Sequence, residues 1–231
     1  MKNTFGNALG LTIFGESHGA AVGAVLDGLA AGLPVDEAYI AERMDRRRAR
    51  GDGLSTARTE PDVVEFLSGV VNGHTTGTPI TMMIRNTNTR SGDYDGLSVV
   101  PRPGHADYTA GVKYGGHADF AGGGAFSGRL TAPLCIAGGI CLQLLKKQGI
   151  EVISRIASIG SVEDVTPLTV STADKPWARP CGRRSPPPRR RMTPLAALWN
   201  VLCWVCPWDW ADRCLTAWRA VFPPSSSVSP P

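Results

Sequence analysis

The sequence predicts an α+β fold, in which helices and antiparallel strands mix without a regular strand–helix–strand rhythm. Apolar and polar residues alternate over several short segments, as they do along half-buried strands. Glycine-containing turns join these segments closely, which favours antiparallel pairing. Two longer segments carry apolar residues at helical spacing, and an apolar content of 42% is enough to build a core.

The first pair of strands is predicted within LTIFGESHGAAVGAVLDGL, which starts at Leu11. Its glycines disfavour a helix, and Val22, Ala24 and Leu26 alternate as one buried face of a strand would. A second pair is predicted within VVEFLSGVVNGHTTGTPITMMIRN, with NGHTTG as the joining turn. EVISRIASIGSV, which starts at Glu151, predicts a later strand.

The segment VDEAYIAERMDRRRA predicts the first helix, because Ile40 and Met44 fall on one side of it. Its final arginines suit the C-terminal end of a helix. RLTAPLCIAGGICLQLLKKQGI gives the strongest helix prediction in the chain and ends at Gly149. Cys135 and Cys141 lie in this second helix, where buried, reduced thiols are expected.

The start of the chain, MKNTFGNALG, does not resemble a secretory leader, which has a charged segment followed by a long apolar one. We expect no apolar run to reach the roughly 20 residues that a membrane-spanning helix needs. The sequence therefore predicts a cytoplasmic protein without a membrane partner.

The composition of the chain changes near residue 176. Residues 1–175 hold 16 Lys or Arg and 18 Asp or Glu, whereas residues 176–231 hold 8 Arg and 2 Asp. The net charge of +4 therefore comes entirely from the tail, which also contains all six Trp and 11 of the 18 Pro. We treat residues 1–175 and residues 176–231 as two segments of different origin.

Glu16, Ser17 and His18 form the first cluster that could do chemistry, and glycines flank it on both sides. Glycine lets a backbone approach a ligand closely, and histidine exchanges protons near neutral pH. On this segment alone, a solvated polar turn is an equal alternative to a reactive histidine.

The second cluster is RPGHADYT, which runs from Arg102 to Thr109. Pro and Gly fix the turn before His105. Asp107 could orient His105 or accept hydrogen bonds from backbone amides. Arg102 could bind a phosphate or a carboxylate with its planar guanidinium. The alternative is an ordinary surface turn.

The third cluster is the glycine-rich segment AGGGAFSGRLTAP, which precedes the second helix. Free amides and a helix N-terminus would suit a phosphate-bearing ligand. The spacing fits neither the P-loop nor the dinucleotide-binding pattern, which disfavours both. The arginines between Arg43 and Arg50 could join Arg102 and Arg129 in a cationic pocket, or form a solvated helix end. They lack the interleaved aromatics of a nucleic-acid surface.

Six motifs follow one another in a recognisable order and spacing over residues 3 to about 175. They are FGESHGAAVGAVLDGLAAGLP, MDRRRARGDGLSTARTEPD, LSGVVNGHTTGTPI, RNTNTRSGDY, RPGHADYTAGVKYGG and GGGAFSGRLTAP. In this order they resemble the chorismate synthase family. The resemblance implies the N-terminal portion of a β-α-β sandwich and assembly as a homotetramer. It also implies a reaction in which 5-enolpyruvylshikimate-3-phosphate loses phosphate and a C6 proton to give chorismate. Reduced FMN is needed, without net redox change, and NADPH is a candidate reductant.

The resemblance also assigns roles to residues. His18, with Ser17 beside it, corresponds to the histidine that protonates the departing phosphate, and His105 to the one that protonates reduced flavin. The binding residues it implies are Arg47, Arg48, Arg102, Ala125, Phe126, Ser127, Gly128 and Arg129. Some members carry Arg-Ser-Ser-Ala-Arg over the last five positions, so Ala125 offers one polar contact fewer. His74 and His117 match no catalytic position and are expected on the surface, and no metal site is expected.

The family pattern ends after TADKP, and codon arithmetic offers a reason. A one-base shift of frame turns Leu198–Val201 into Val-Glu-Cys, as in the family segment GGVVEC. The same shift turns PWDWAD into a small apolar residue followed by Gly-Leu-Gly, and DRCLTAW can yield Pro-Met-Phe-Asp-Gly-Val. We interpret residues 176–231 as an out-of-frame, disordered tail, caused by a sequencing error or a pseudogene. As printed, Cys203-x-x-Cys206 is at most half a zinc site or a redox pair.

The family's second half supplies part of the flavin pocket, including an Arg-His-Asp-Pro segment. Because the tail does not carry that segment, the chain as printed is expected to be inactive. The alternative class is a non-catalytic, poorly folded polypeptide that binds anions weakly. A nucleic-acid partner would rest on the basic tail alone and is not expected.

Overall fold

The computed structural model describes residues 3–49, 60–87, 100–159, 162–163 and 197–204. The chain divides into two compact units, Met1–Leu144 and Leu145–Pro231. This division does not coincide with the change of composition at residue 176. The separate origin of residues 176–231 therefore stays a prediction.

The described part of the first unit contains seven strands. They are β1 (Thr4–Phe5), β2 (Gly10–Gly15), β3 (Ala21–Asp27), β4 (Val64–Ser68), β5 (Val70–Val71), β6 (His74–Thr75) and β7 (Ile80–Arg85). Five of them form an antiparallel sheet in the order β1-β2-β3-β7-β4. The predicted strand–turn–strand around His18 is confirmed as β2 and β3, and the strands around NGHTTG as β4 and β7.

One face of this sheet carries the core. Val22, Ala24 and Leu26 of β3 lie opposite buried apolar residues of β7. Because side chains alternate along a strand, these rows face the same side of the sheet. The predicted period-2 pattern of β3 is therefore confirmed.

Helix α1 (Glu37–Arg47) covers that face and confirms the first predicted helix. Asp36 caps it, since the Asp36 side chain accepts a hydrogen bond from the Tyr39 amide at 3.1 Å. Ile40 and Met44 are its buried residues, as their spacing predicts. Arg46 and Arg47 lie in its last turn, where positive charge is favourable.

Helix α3 (Thr131–Lys147) confirms the second predicted helix and packs against α1. A Cβ on Gly139 would lie 3.3 Å from Ile40 Cγ1, so the two helices approach closely there. The Gln143 side chain of α3 adds two hydrogen bonds to Asp36, the residue that caps α1. Its Oε1 accepts from the Asp36 amide at 2.8 Å, and its Nε2 donates to the Asp36 carbonyl at 3.1 Å.

Two short elements differ from the prediction. Helix α2 (Asp107–Lys113) begins inside RPGHADYT, where the sequence predicts only a turn, because seven residues are too few to show a helical period. NGHTTG is more than a turn, since β5 and β6 pair around Asn72 and Gly73. Both residues have positive φ, 49° and 71°, as the tightest hairpin turns require.

The expectation that no apolar segment reaches membrane-spanning length is wrong. Gly128–Lys147 is a helical segment of 20 residues with mean hydropathy 1.4, long and apolar enough by those criteria to cross a membrane. The short 3₁₀ turn Gly128–Leu130 runs directly into α3 and lengthens it. Six residues of α3 are buried in the first unit, and burial of a core helix accounts for the same composition.

Cys135 and Cys141 are unpaired thiols, as predicted. Both are half-buried rather than fully buried, and burial raises the pKa of each thiol. They therefore behave as part of the apolar packing of α3.

The described part of the second unit is a three-stranded antiparallel sheet. Strand β8 (Glu151–Ile159) confirms the predicted late strand and pairs with β9 (Val162–Glu163) and β10 (Ala197–Trp204). β10 differs from the expected disorder of the tail, because ALWNVLCW is rich in residues that favour strands. Cys206 and the rest of the tail lie outside the described residues.

Candidate active site

The two histidines that the sequence singles out contact adjacent glycines. Gly122 and Gly123 have φ angles of 63° and 106°, which side chains other than glycine rarely adopt. A Cβ on Gly122 would overlap the His18 ring, and a Cβ on Gly123 would lie 2.9 Å from His105 Cε1. One glycine dipeptide therefore packs against both imidazoles, although they are far apart in the sequence.

Ser17 ties the His18 turn to the glycine-rich segment. It is 1% exposed, its amide donates to the Gly124 carbonyl at 3.2 Å, and its hydroxyl donates to the Ala121 carbonyl at 3.4 Å. Ser17 Oγ also lies 3.1 Å from Nδ1 of His18. The turn between β2 and β3 is thus a built structure rather than a solvated loop.

Arg102, His105 and Asp107 form a hydrogen-bonded group at the start of α2. Nε and Nη2 of Arg102 both donate to the Asp107 carboxylate at 2.8 Å. His105 Nδ1 lies 2.9 Å from Asp107 Oδ1, and because a carboxylate only accepts, Nδ1 carries the proton of this bond. Both predicted roles of Asp107 are found, because its Oδ2 also accepts from the Arg102 backbone amide at 2.9 Å.

The charge of this group is fixed by its contacts. The Arg102 guanidinium, hydrogen-bonded to Asp107, holds the pKa of that carboxyl well below its usual range. The carboxylate therefore stays ionised at all ordinary pH values. The ionised carboxylate accepts the hydrogen bond from His105 Nδ1 and so fixes which ring nitrogen carries that proton. Arg102 serves Asp107 here rather than an external anion.

Arg47 and Arg129 share the carboxylate of Asp62. Nη1 of Arg47 donates to one Asp62 oxygen at 3.2 Å, and Nη1 of Arg129 donates to the other at 2.9 Å. The Asp62 side chain is 4% exposed and that of Arg129 is 9% exposed. Two positive charges thus surround one negative charge, which leaves the cluster able to attract an anion.

One nitrogen of this cluster lacks a partner. Nη2 of Arg129 is buried and makes no hydrogen bond with the described residues. Arg47, in contrast, is engaged on all three nitrogens, by Asp62, Thr131 Oγ1 and the Gly128 carbonyl. Arg129 is therefore the better prepared of the two predicted anion ligands.

Asn86 joins this cluster to the His18 turn. Its side-chain Nδ2 donates to the carbonyls of Glu16 and Gly19, at 3.0 and 2.8 Å. Its Oδ1 accepts from Nε of Arg129 at 2.6 Å. Asn86 sits at the end of β7, so the sheet itself positions these contacts.

The remaining predicted binding residues take varied positions. Ala125 and Phe126 are exposed, and Phe126 contacts the Tyr114 ring with centroids 6.1 Å apart. Ser127 caps the turn before α3, since its hydroxyl accepts from the Arg129 amide at 3.3 Å. Gly128 is exposed, and its carbonyl accepts from Thr131 Oγ1 at 2.6 Å.

Two expectations about charge need correction. The predicted cationic pocket, which would join the arginines of α1 to Arg102 and Arg129, does not form as one site. Arg102 pairs with Asp107, and Arg48 pairs with Asp45. Arg50 lies outside the described residues. The amides of Arg129 and Leu130 are also not free, since Ser127 accepts from both. His74 and His117 are exposed, as predicted.

Sequence reasoning missed Asp62 and Asn86. Both lie inside motifs quoted for the family resemblance, TARTEPD and RNTNTRSGDY, but neither carries a signal of its own. Asp and Asn next to strands are typical of turns. Only the fold shows that their side chains point at arginines that the sequence did single out.

A separate groove of about 450 Å³ lies between α1 and β4. Its lining is mainly apolar, with Ile40, Met44 and Phe66 on its walls. Asp62 borders it, but neither histidine does. The groove therefore does not coincide with the cluster around the glycine dipeptide.

Comparison with known proteins identifies the family of the chain. The family model described as chorismate synthase matches residues 9–185. The chain is 51% identical over 156 residues to chorismate synthase of Korarchaeum cryptofilum, covering 68% of this chain and 43% of the relative. Against chorismate synthase of Pyrobaculum arsenaticum it is 46% identical over 178 residues, covering 77% of this chain and 48% of the relative.

A solved crystal structure of chorismate synthase is also similar. The TM-score is 0.51 at 34% identity, and the similarity covers 68% of this chain and 40% of the solved one. The chain spans about half the length of the curated relatives it matches. Since the family match extends over well more than half of the chain, this protein belongs to the chorismate synthase family.

Proposed function

We propose that the chain descends from a lyase of aromatic amino-acid biosynthesis that converts 5-enolpyruvylshikimate-3-phosphate to chorismate. The observation that carries the proposal is the contact of His18 and His105 with one glycine dipeptide, linked through Asn86 to Arg129. An elimination that expels phosphate needs a proton donor at the leaving oxygen and positive charge for the phosphate. In this proposal His18 supplies the proton and Arg129 the positive charge.

The atoms of the elimination balance without an outside oxidant. The bond from carbon to the phosphate oxygen breaks, C6 loses its proton to a base or to water, and the electron pair of the C6–H bond forms the new carbon–carbon double bond. His18 would hold the proton that the departing phosphate takes. Its Nδ1 lies against Ser17 Oγ, which fixes the ring plane.

The residues present fit a flavin with a phosphate. The buried and unpartnered Nη2 of Arg129 could meet a negative charge, and the exposed Ala125 and Phe126 could contact the ring system. Reduced FMN, when bound, would supply electrons that the reaction returns, since the elimination involves no net redox change. A proton that His105 gives to the flavin would come from Nε2, because the Nδ1 proton is engaged in the hydrogen bond to Asp107.

Family membership alone supports the remaining parts of the proposal. They are assembly as a homotetramer, a cytoplasmic location, and NADPH as a reductant of the flavin. Five further residues stay in the proposal because their contacts, described above, position the site. They are Arg47, Arg48, Arg102, Ser127 and Gly128.

We further propose that residues beyond about 176 are out of frame, and that the chain as printed does not turn over substrate. Resequencing the DNA across the codons for Asp174 to Arg184 tests the first part. A missing or extra base relative to the printed sequence supports the proposal. The printed frame in many independent reads contradicts a sequencing error.

Two versions of the protein test the second part, one as printed and one with the frame restored. Both are assayed for chorismate formation from 5-enolpyruvylshikimate-3-phosphate with reduced FMN. We expect product from the restored version only, and loss of that product in its His18→Ala variant. Turnover by the printed chain would overturn the expectation.

The second candidate is a non-catalytic polypeptide. A formed site must stabilise the folded state when FMN and substrate bind, which raises Tm. A Tm that does not change with either ligand favours the non-catalytic candidate for the printed chain. The basic charge of the tail is the only feature that would favour a nucleic-acid partner.

A further inference from the structure

Asn86 uses all the polar groups of its side chain within one small region. Both side-chain protons go to carbonyls that flank Ser17 and His18 in the sequence, those of Glu16 and Gly19. The side-chain oxygen goes to Arg129. Its backbone amide adds a fourth hydrogen bond, to the Ala20 carbonyl at 3.1 Å.

The direction of these bonds cannot be reversed. Backbone carbonyls only accept hydrogen bonds, and the Nε of an arginine only donates. The amide nitrogen of Asn86 must therefore face the His18 turn, and its oxygen must face Arg129. A residue with two donors and one acceptor in this arrangement is needed, which no other side chain of the same length provides.

Arg129 depends on Asn86 for the direction of its free nitrogen. Nε is held by Asn86 and Nη1 by Asp62. Since a guanidinium is planar, two fixed nitrogens fix the position of the third. Nη2, which is buried without a partner, is thus aimed by contacts on the other two.

We propose that Asn86 is a positioning residue that holds the His18 turn and the Arg129 guanidinium in one fixed geometry. A phosphate ester bound at Arg129 Nη2 is thereby presented to the proton donor His18. The functional half of this inference rests on the proposed function. The structural half, a bridge made by one side chain, stands on the three side-chain hydrogen bonds.

Three variants of the full chain separate the two arms of the bridge. Asn86→Asp keeps an acceptor for Arg129 but removes both donors to the turn. Asn86→Ala removes both arms. Asn7→Asp, at an exposed position of the same unit, makes the same chemical change away from the site and serves as the control.

Two signals report on the arms, the NMR resonance of the Arg129 Nε–H and the hydrogen-exchange rate of the Gly19 amide. The Gly19 amide closes the turn by donating to the Glu16 carbonyl at 3.2 Å. In Asn86→Asp we expect the Arg129 resonance to persist while Gly19 exchanges about tenfold faster. In Asn86→Ala both signals should change, and in Asn7→Asp neither.

An Arg129 Nε–H resonance that is unaltered in Asn86→Ala would overturn the bridge, as would unaltered Gly19 exchange in both position-86 variants. If Asn86→Ala does not fold, Asn86→Asp alone tests the bridge. In that variant the Arg129 resonance should persist while the Gly19 amide exchanges faster. Titration with inorganic phosphate tests the proposed function separately. If the Arg129 resonance does not shift when phosphate is added, Arg129 does not bind the anion, whatever the exchange data show.

Discussion

Asp107 has two partners with different consequences. Its contact with Arg102 keeps the carboxylate ionised, and its contact with His105 fixes which ring nitrogen carries a proton. The side chain is 2% exposed, so water does not replace these contacts easily. The residue therefore contributes both to stability and to the choice of tautomer in the candidate acid His105.

We predict that Asp107→Asn lowers Tm by a few degrees at neutral pH. Because folding lowers the pKa of this carboxyl, its stabilisation is present above the unfolded pKa, about 3.9, and is lost as pH falls through the folded value. The Tm difference from the unaltered chain should stay constant from about pH 5 to 8 and shrink below about pH 4. Thermal unfolding over this pH range measures it.

Glu65→Gln is the control for that series. Glu65 pairs with Arg85 at 2.8 Å, but both side chains are well exposed, so the pair contributes little to stability. Its Tm should differ little from that of the unaltered chain at neutral pH. An Asp107→Asn difference that persists undiminished at pH 3 would contradict the assigned role of the carboxylate.

Gly122 and Gly123 offer a way to disturb each histidine separately. Gly122→Ala should displace the His18 ring, and Gly123→Ala should displace His105. Each also forces Ala into positive φ, which costs about 1–2 kcal/mol. Gly116→Ala has the same backbone penalty, since Gly116 has a φ of 83°, but its Cβ would meet nothing within 4 Å.

NMR spectra of the histidine rings check this prediction. We expect the His18 signal to move most in Gly122→Ala, the His105 signal to move most in Gly123→Ala, and neither to move in Gly116→Ala. Equal movement of both rings in all three variants would mean that backbone strain, not ring contact, dominates.

Helices α1 and α3 show how closely two elements can pack when one contributes glycine. Gly138 and Gly139 are adjacent in α3, yet only Gly139 faces Ile40 of α1. Gly138 has no neighbour within 4 Å of its Cβ position. The two adjacent glycines of α3 therefore have different surroundings.

We predict that Gly138→Ala stabilises the protein by about 0.5–1 kcal/mol, because Ala is the better helix former. Gly139→Ala should gain less or destabilise, because the new methyl group must displace Ile40 by a few tenths of an ångström. Denaturant unfolding of the two single variants compares them directly. A larger gain for Gly139→Ala would contradict the packing of α1 on α3.

The elements that sequence analysis found are those with a clear period. β2, β3, β7, α1 and α3 each carry an apolar pattern long enough to identify. Helix α2 and the β5–β6 hairpin are too short for a period, and their boundaries depend on tertiary contacts.

At the site, the spacing of His105 and Asp107 was enough to suggest that the carboxylate orients the imidazole. The bridge through Asn86 was not visible in the sequence, because it joins three segments that only the fold brings together.

Several large apolar side chains of the first unit are exposed. Leu134 of α3 is 42% exposed, and Leu67 and Val71 are more so. Helix α3 is apolar around most of its circumference, which is typical of a helix covered on all sides. We therefore expect the isolated chain to associate through this helix.

Leu134→Lys should reduce that association, since a charge resists burial in an apolar contact. Val71→Lys is the control, because Val71 is 60% exposed but lies in the β5–β6 hairpin. Sedimentation velocity of the three chains at matched concentrations measures the effect. Equal reduction by both substitutions would indicate that added charge, rather than the α3 surface, controls association.

The glycine dipeptide also has a consequence for the order of synthesis. The contacts of His18, His105 and Arg129 described above involve residues at or before Arg129. At about 5–20 residues per second, a ribosome needs a further ~2–9 s to reach the change of composition at residue 176. Small domains fold within such times. The first unit can therefore gather its candidate catalytic groups before translation reaches the codons for the basic, Trp-rich tail.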